Sequence, residues 1–204
     1  ITPKFSISFA HIINFVIEIS LWLIPLAFAV SAHEAGHAYI ARLCGDYTAE
    51  RLGRVTLNPI SHIDRFGTIV IPIICLMFPT GLIFGYAKPV PIKVSALNNP
   101  RRDMALIAGA GPLVNIIIAV ISALLMHINL INPEWFWSWW IAVLERSVLL
   151  NIILAVFNCI PLLPLDGGRI ALSFMPSPWA KKVVHIEKYG IIIIVFVLFL
   201  LPLI

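Results

Sequence analysis

The chain has 204 residues, 60% of them hydrophobic and only 12% charged, with a mean hydropathy of +0.99. A water-soluble domain needs far more polar surface, so the composition reads as one integral-membrane domain, 1–204, with several spans and no room for an ordinary soluble module. The formal charge of +4 includes no dense basic run, which speaks against a nucleic-acid partner and for cytoplasmic loops.

The opening ITPKFS has no pattern of a cleavable signal. A first span is expected within residues 10–43, longer than the roughly 20 residues a crossing needs, with Pro25 placed to bend it. Inside it, SAHEAGHAYI sets two histidines and a glutamate in apolar surroundings, where ionisable groups are expensive. His33 and His37, four apart on a helix, project from one face one turn from each other. Two neutral imidazole nitrogens can then share one Zn²⁺ while Glu34 stands beside it as a general base. The plain alternative is a packed helix with incidental histidines, and the cost of unpaired polar groups in an apolar helix weighs against it.

From 44 to 66, Gly45, Gly53 and Pro59 punctuate short polar–apolar stretches that suit brief strands and turns. GYAKPVPIKV, 85–94, suits an edge strand, so a small sheet is expected at the membrane surface. Pro72, Pro79, Gly81 and Gly85 interrupt residues 67–86, leaving a full span or a re-entrant hairpin. A second span is placed at about 103–128. Trp135, Trp137, Trp139 and Trp140 form an interfacial aromatic belt before a third at about 145–163, whose Glu145 and Arg146 pair or snorkel there. A fourth span is expected at 186–204. The fold class is thus an all-α membrane protein: a polytopic helical bundle of about four full spans, a re-entrant hairpin and short surface β-strands. Its catalytic core covers about 20–170. Cys44, Cys75 and Cys159 have no paired spacing and read as packed thiols rather than a disulfide framework.

A catalytic zinc takes three protein ligands and keeps an open position. Acidic candidates beside apolar segments are Glu18, Asp103, Glu145 and Asp166, with Asp46, Asp64 and Glu187 in loops. Asp166 lies in FNCIPLLPLDGGRI, where Pro161 and Pro164 break the third span and Gly167 and Gly168 follow. Such a broken helix end directs a carboxylate inward as readily as it makes an ordinary Asp-Gly turn, and the residues alone leave these even. His62, in NPISHID, reads as a surface or capping histidine, with a place on or beside the metal as the alternative. His11, His127 and His185 lie near span ends and receive no role.

HEAGH in a membrane helix, AGAGPLVN opening a later span and FNCIPLLPLDGGR closing another resemble, in that order, the site-2 protease family of intramembrane zinc metalloproteases. GDYTAERLGRVTLNPISHID followed by GYAKPVPI resembles the compact members without PDZ or CBS modules. The resemblance covers about 30–170, and residues 70–84 depart from it by their length. It implies one zinc per chain on His33, His37 and Asp166, with Glu34 as the base. It also implies that Asn158 holds substrate or stabilises the oxyanion, where the residue alone suggests a helix–helix hydrogen bond. The implied reaction is endopeptidase cleavage of membrane-spanning substrates, of the regulated intramembrane proteolysis type, in the plasma membrane of a prokaryote.

If Asp166 meets the histidines, the first and third spans end on one side, and residues 67–86 must cross an even number of times. Residues 42–66, 88–102 and 164–188 then share a face rich in lysine and arginine, which the positive-inside rule makes cytoplasmic. Either 44–66 or 85–94 then serves to pair with an extended substrate or as a structural lid. Rival readings are a membrane metal transporter or zinc-binding protein, a catalytically dead scaffold, and another type of zinc protease with Glu145 as third ligand. The topology puts Glu145 on the far side.

Overall fold

The computed structural model describes residues 9–71, 73, 85–128, 134–176, 178–180, 182–184 and 190. Their helices are α1 (Phe9–Leu43), α2 (Thr48–Arg51), α3 (Pro100–Leu125), α4 (Glu134–Asn158) and α5 (Asp166–Phe174). Three of them, α1, α3 and α4, are long and apolar enough to cross a membrane. At 1.5 Å per residue the 35 residues of α1 extend about 52 Å, well beyond a hydrocarbon core of about 30 Å. The helix α3 begins at Pro100, where the missing N–H removes no helical bond. There Asp103 Oδ2 accepts from Asn99 N at 2.7 Å, placing an anion at the positive end of the helix.

The three long helices pack on one another. Asn115 and Ile107 of α3 bond to His33 and His37 of α1, so these helices run antiparallel. The pairs Asn115–Asn151 and Ser122–Ser147 make α3 and α4 antiparallel as well. Trp139 Nε1 donates to Ser20 Oγ at 3.0 Å, near the start of both α4 and α1, which are therefore parallel. The buried stripe of α3 is small and polar: Ala108, Gly111, Asn115, Ala119 and Ser122 recur every three or four residues. Small residues let backbones approach closely where lipid offers no hydrophobic drive for association. Leu113, Ile116, Ile117, Val120 and Leu124 face outward, as a lipid-facing surface requires.

The expected surface strands are not found: no strand occurs among the described residues. In 44–66 the chain forms α2, a 3₁₀ turn at Pro59–His62 and the start of a single π-type turn, Arg65–Val70. The reason is local capping. Asp46 Oδ1 accepts from Thr48 N at 2.9 Å, Asn58 Oδ1 from Ile60 N at 3.1 Å, and Asp64 Oδ1 from Phe66 N and Gly67 N at 2.9 and 2.7 Å. Side chains that satisfy nearby backbone in this way compete with a ladder. Residues 85–93 are extended, but Pro89 and Pro91 remove two of the donors a ladder would need. This strap instead spends its donors one by one: Tyr86 N on Gly67 O (3.1 Å), Lys88 N on His62 O (2.8 Å) and Lys93 N on Asp46 Oδ2 (2.6 Å).

The fourth span, 186–204, lies outside the described residues except for Gly190, and so does most of the hairpin, 67–86. The two ends of the latter segment meet, since Tyr86 N bonds to Gly67 O and Thr68 Oγ1 donates to Tyr86 O at 3.0 Å. Glu145 and Arg146 pair as expected, at 3.5 Å, and the Arg146 guanidinium lies 5.5 Å from the Trp22 ring centroid.

Candidate metal centre

His33 and His37 sit on the inner face of α1, both buried, with their Nε2 atoms 3.0 Å apart. Asp166, the first residue of α5, brings Oδ2 to 3.1 Å from His33 Nε2 and 3.3 Å from His37 Nε2. The carboxylate arrives there because α5 starts hard against the end of α4. A Cβ on Gly167 would collide with the carbonyl of Cys159, and one on Gly168 with the backbone of Leu162 and Leu163. These two glycines therefore serve a close approach of backbone rather than flexibility.

Each imidazole is oriented by its other nitrogen. Nδ1 of His37 lies 2.7 Å from the carbonyl oxygen of Ile107, which can only accept, so Nδ1 carries the proton. Nδ1 of His33 lies 2.5 Å from Asn115 Oδ1. Asn115 Nδ2 in turn donates to Ala29 O at 3.3 Å and Asn151 Oδ1 at 2.7 Å, so Oδ1 is the atom facing His33, and that Nδ1 is a donor too. When neutral, each ring thus directs an Nε2 lone pair at the Asp166 carboxylate.

With both rings neutral, three acceptor atoms converge, and Asp166 Oδ2 is buried with no hydrogen-bond donor. A cation resolves this. Zinc at about 2.0–2.1 Å from tetrahedral ligands needs those ligand atoms roughly 3.3 Å apart, close to the separations of 3.0 to 3.3 Å found here. Gly111 completes the fit, since a Cβ there would stand 2.5 Å from His37 Nε2 and 2.6 Å from His33 Nε2. Among the described residues these three form the one His/Cys/Asp/Glu group that could hold a metal ion.

Glu34 and Asn158 line the same cavity, of about 130 Å³, with Pro89 and Val90 of the strap. Glu34 Oε2 accepts from Val90 N at 3.0 Å, and Asn158 Nδ2 donates to Leu154 O at 3.0 Å. His62 is not part of the site, nor is it a surface histidine. It is buried, with Nε2 donating to Thr56 O at 2.9 Å and Nδ1 facing Arg54 Nη2 at 3.4 Å. Arg54 also donates to Lys88 O at 2.5 Å, so the pair anchors the strap. Asn115 and Gly111 lie in AGAGPLVN but received no individual site role from the sequence, Asn151 received none, and Arg54 counted only among the basic loop residues. The signal for the first was an asparagine in an apolar helix, in step with Gly111 and Ser122.

Residues 21–131 and 128–203 match Peptidase family M50. A Bacillus subtilis protein named "Putative zinc metalloprotease YwhC" is 38% identical over 192 residues, covering 89% of this chain and 80% of the relative. A Mycolicibacterium smegmatis protein named "Putative zinc metalloprotease Rip2" is 25% identical over 195 residues, 90% of this chain and 67% of its own. A Methanocaldococcus jannaschii protein named "Zinc metalloprotease MJ0392" is 26% identical over 156 residues, 76% of this chain and 34% of its own. No solved structure matches the chain with significance.

Proposed function

The chain belongs to peptidase family M50, the site-2 protease family, and from that membership we propose that it is a zinc-dependent endopeptidase cleaving membrane-spanning substrates within the bilayer. The observation that carries the reading is the convergence of His33 Nε2, His37 Nε2 and Asp166 Oδ2 inside a span. His37 and His33 lie six and ten residues before the end of α1 at Leu43, about 9 and 15 Å along the helix, so a membrane boundary near Leu43 would leave both within a hydrocarbon core about 30 Å thick. These three residues would hold one zinc. Bound there, zinc would supply Lewis acidity toward the scissile carbonyl and lower the pKa of a water.

The remaining work falls to the chain's own groups. Glu34, fixed at Oε2 by the Val90 amide, takes a proton from the attacking water and returns it to the leaving amine. Asn158, at the cavity wall, keeps its amide nitrogen on Leu154 O, which orients its side chain for contact with the substrate backbone. The lysine- and arginine-rich loops gather at the end of the bundle where α1 stops and α3 starts, which favours a cytoplasmic opening in a plasma membrane.

The test is cleavage of a panel of single-span substrates by purified protein, wild type beside Glu34→Gln. Glutamine can still accept from Val90 N but cannot take a proton. Cleavage should fall by about 10²- to 10⁴-fold with zinc content unchanged. Equal cleavage by both proteins refutes the mechanism.

A further inference from the structure

We propose that Asn115 and Asn151 act as a positioning relay that sets the tautomer of His33 from across the bundle. The inference rests on the metal reading of His33, His37 and Asp166. It concerns two residues that touch neither the cation nor the substrate.

The relay starts at a group that cannot change its role. The carbonyl oxygen of Ser147 only accepts, and it lies 2.8 Å from Asn151 Nδ2, fixing which end of that amide faces it. Asn151 must then present Oδ1 to Asn115, whose Nδ2 donates to it at 2.7 Å. The backbone carbonyl of Ala29, 3.3 Å from the same nitrogen, imposes the same orientation independently. Asn115 is left with only Oδ1 for His33 Nδ1, at 2.5 Å. A histidine whose Nδ1 must donate keeps its Nε2 lone pair for a cation. Four helical positions thus form a directed chain from α4 through α3 to α1.

Burial shows that this is more than casual helix–helix contact. Asn115 and Asn151 are both fully buried, and an amide taken out of water is tolerated only when its hydrogen-bonding groups are satisfied. Two leucines would pack these helices without that demand. Ser147 Oγ continues the chain to Ser122 Oγ at 2.9 Å, but a hydroxyl rotates and can take either role. The polarity is therefore fixed by the carbonyls of Ser147 and Ala29 and not by the serines. Ser122 consequently serves as an internal control.

The experiment measures zinc affinity by chelator competition in the full-length protein, with the absorption bands of the Co²⁺-loaded form as a second readout. Asn115→Leu should weaken zinc binding about 10- to 100-fold, the usual effect of removing the partner of a ligating histidine. Asn151→Ala, one helix further away, should weaken it less but in the same direction, and it keeps the test alive if Asn115→Leu does not fold. Ser122→Ala should leave affinity unchanged. In a double-mutant cycle, Asn115→Leu should cost nothing further once His33→Ala is present, because the asparagine acts through that ring. A merely structural role would give additive losses in the cycle, and that result overturns the relay. So would wild-type affinity in both asparagine variants. If the wild type bound no zinc, the metal reading itself would fail, a distinct outcome.

Discussion

Replacing Gly111 by alanine adds one methyl group at the point where the two imidazoles meet α3. Its Cβ would stand 2.5 Å from His37 Nε2 and 2.6 Å from Cε1 and Nε2 of His33, whereas non-bonded heavy atoms settle at about 3.5–4.0 Å. The overlap is thus about 1 Å against two ring edges at once. Neither ring can swing aside freely, because His33 is tied to Asn115 and His37 to the carbonyl of Ile107. Relief must come from moving α3 outward or from parting the rings, and either change spreads the converging nitrogens. Overpacking of this kind costs about 1–3 kcal/mol. If the strain is felt in the metal-bound geometry, that range corresponds to zinc binding weakened by roughly 5- to 160-fold. The assay is chelator competition, with thermal unfolding of the metal-free protein measured alongside. Gly109→Ala provides the control on the same helix, since nothing lies within 4 Å of a Cβ there, and it should bind zinc as the wild type does. Wild-type affinity and an unchanged Tm in Gly111→Ala would mean that the site has room this geometry denies it, and the packing argument would be refuted.

The topology is tested by single cysteines, V55C and S95C, in a background without Cys44, Cys75 and Cys159. Both should react with an impermeant thiol reagent from one side of the membrane, and labelling from opposite faces would break the argument that joins α1 to α5. Asp46 gives a pH dependence. Burial would raise its pKa, yet the Thr48 side chain and the amides of Lys93 and Thr48 outweigh burial and lower it. A depressed folded value contributes stability above the ordinary carboxylate pKa of about 3.9, and that stability is lost as pH falls through the folded value. Protection of the strap amides against hydrogen exchange, taken relative to the intrinsic rate at each pH, should therefore fall in strong acid in the wild type. In Asp46→Asn protection should already be low at neutral pH, and parallel acid profiles for the two proteins would rule out this anchor.

What could be read from the sequence was whatever local periodicity or element order determines. The four-residue spacing of His33 and His37 dictates a shared helix face, and three apolar segments became the three long helices. Asp166 was harder, since the residues alone left a turn and a ligand even, and its proximity to the histidines depends on how α5 packs against the end of α4. The strands failed for a physical reason that composition hides. Asp46, Asn58 and Asp64 each close a turn on their own neighbours, so 44–66 satisfies its backbone locally and has no need of a ladder. His62 misled because a polar segment suggests a solvated histidine, whereas its partners, Arg54 and Thr56, fold over it. Asn115 had no readable role because the contacts that define it lie 82 residues away at His33 and 36 away at Asn151.

The proposed ligands and the proposed base are held by different parts of the molecule. His33 and His37 take their orientation from inside the bundle, from Asn115 and the Ile107 carbonyl. Glu34, one residue from His33 on the same helix, takes its contact from the strap through Val90 N. The strap is itself anchored at both ends of its extended stretch, by His62 and Arg54 on Lys88 and by Asp46 on Lys93. Val90 is pressed against Ala38 and Ala49 between these anchors, so its amide meets the Glu34 carboxylate at a set place. A carboxylate left alone beside a bound cation would be drawn toward it. An amide donor on Oε2 opposes that pull, and a charged acceptor makes such a bond worth about 1.5–3 kcal/mol. Helix interior and surface strap thus do separate work: one orients the imidazoles proposed to bind the cation, the other holds the carboxylate proposed as the base.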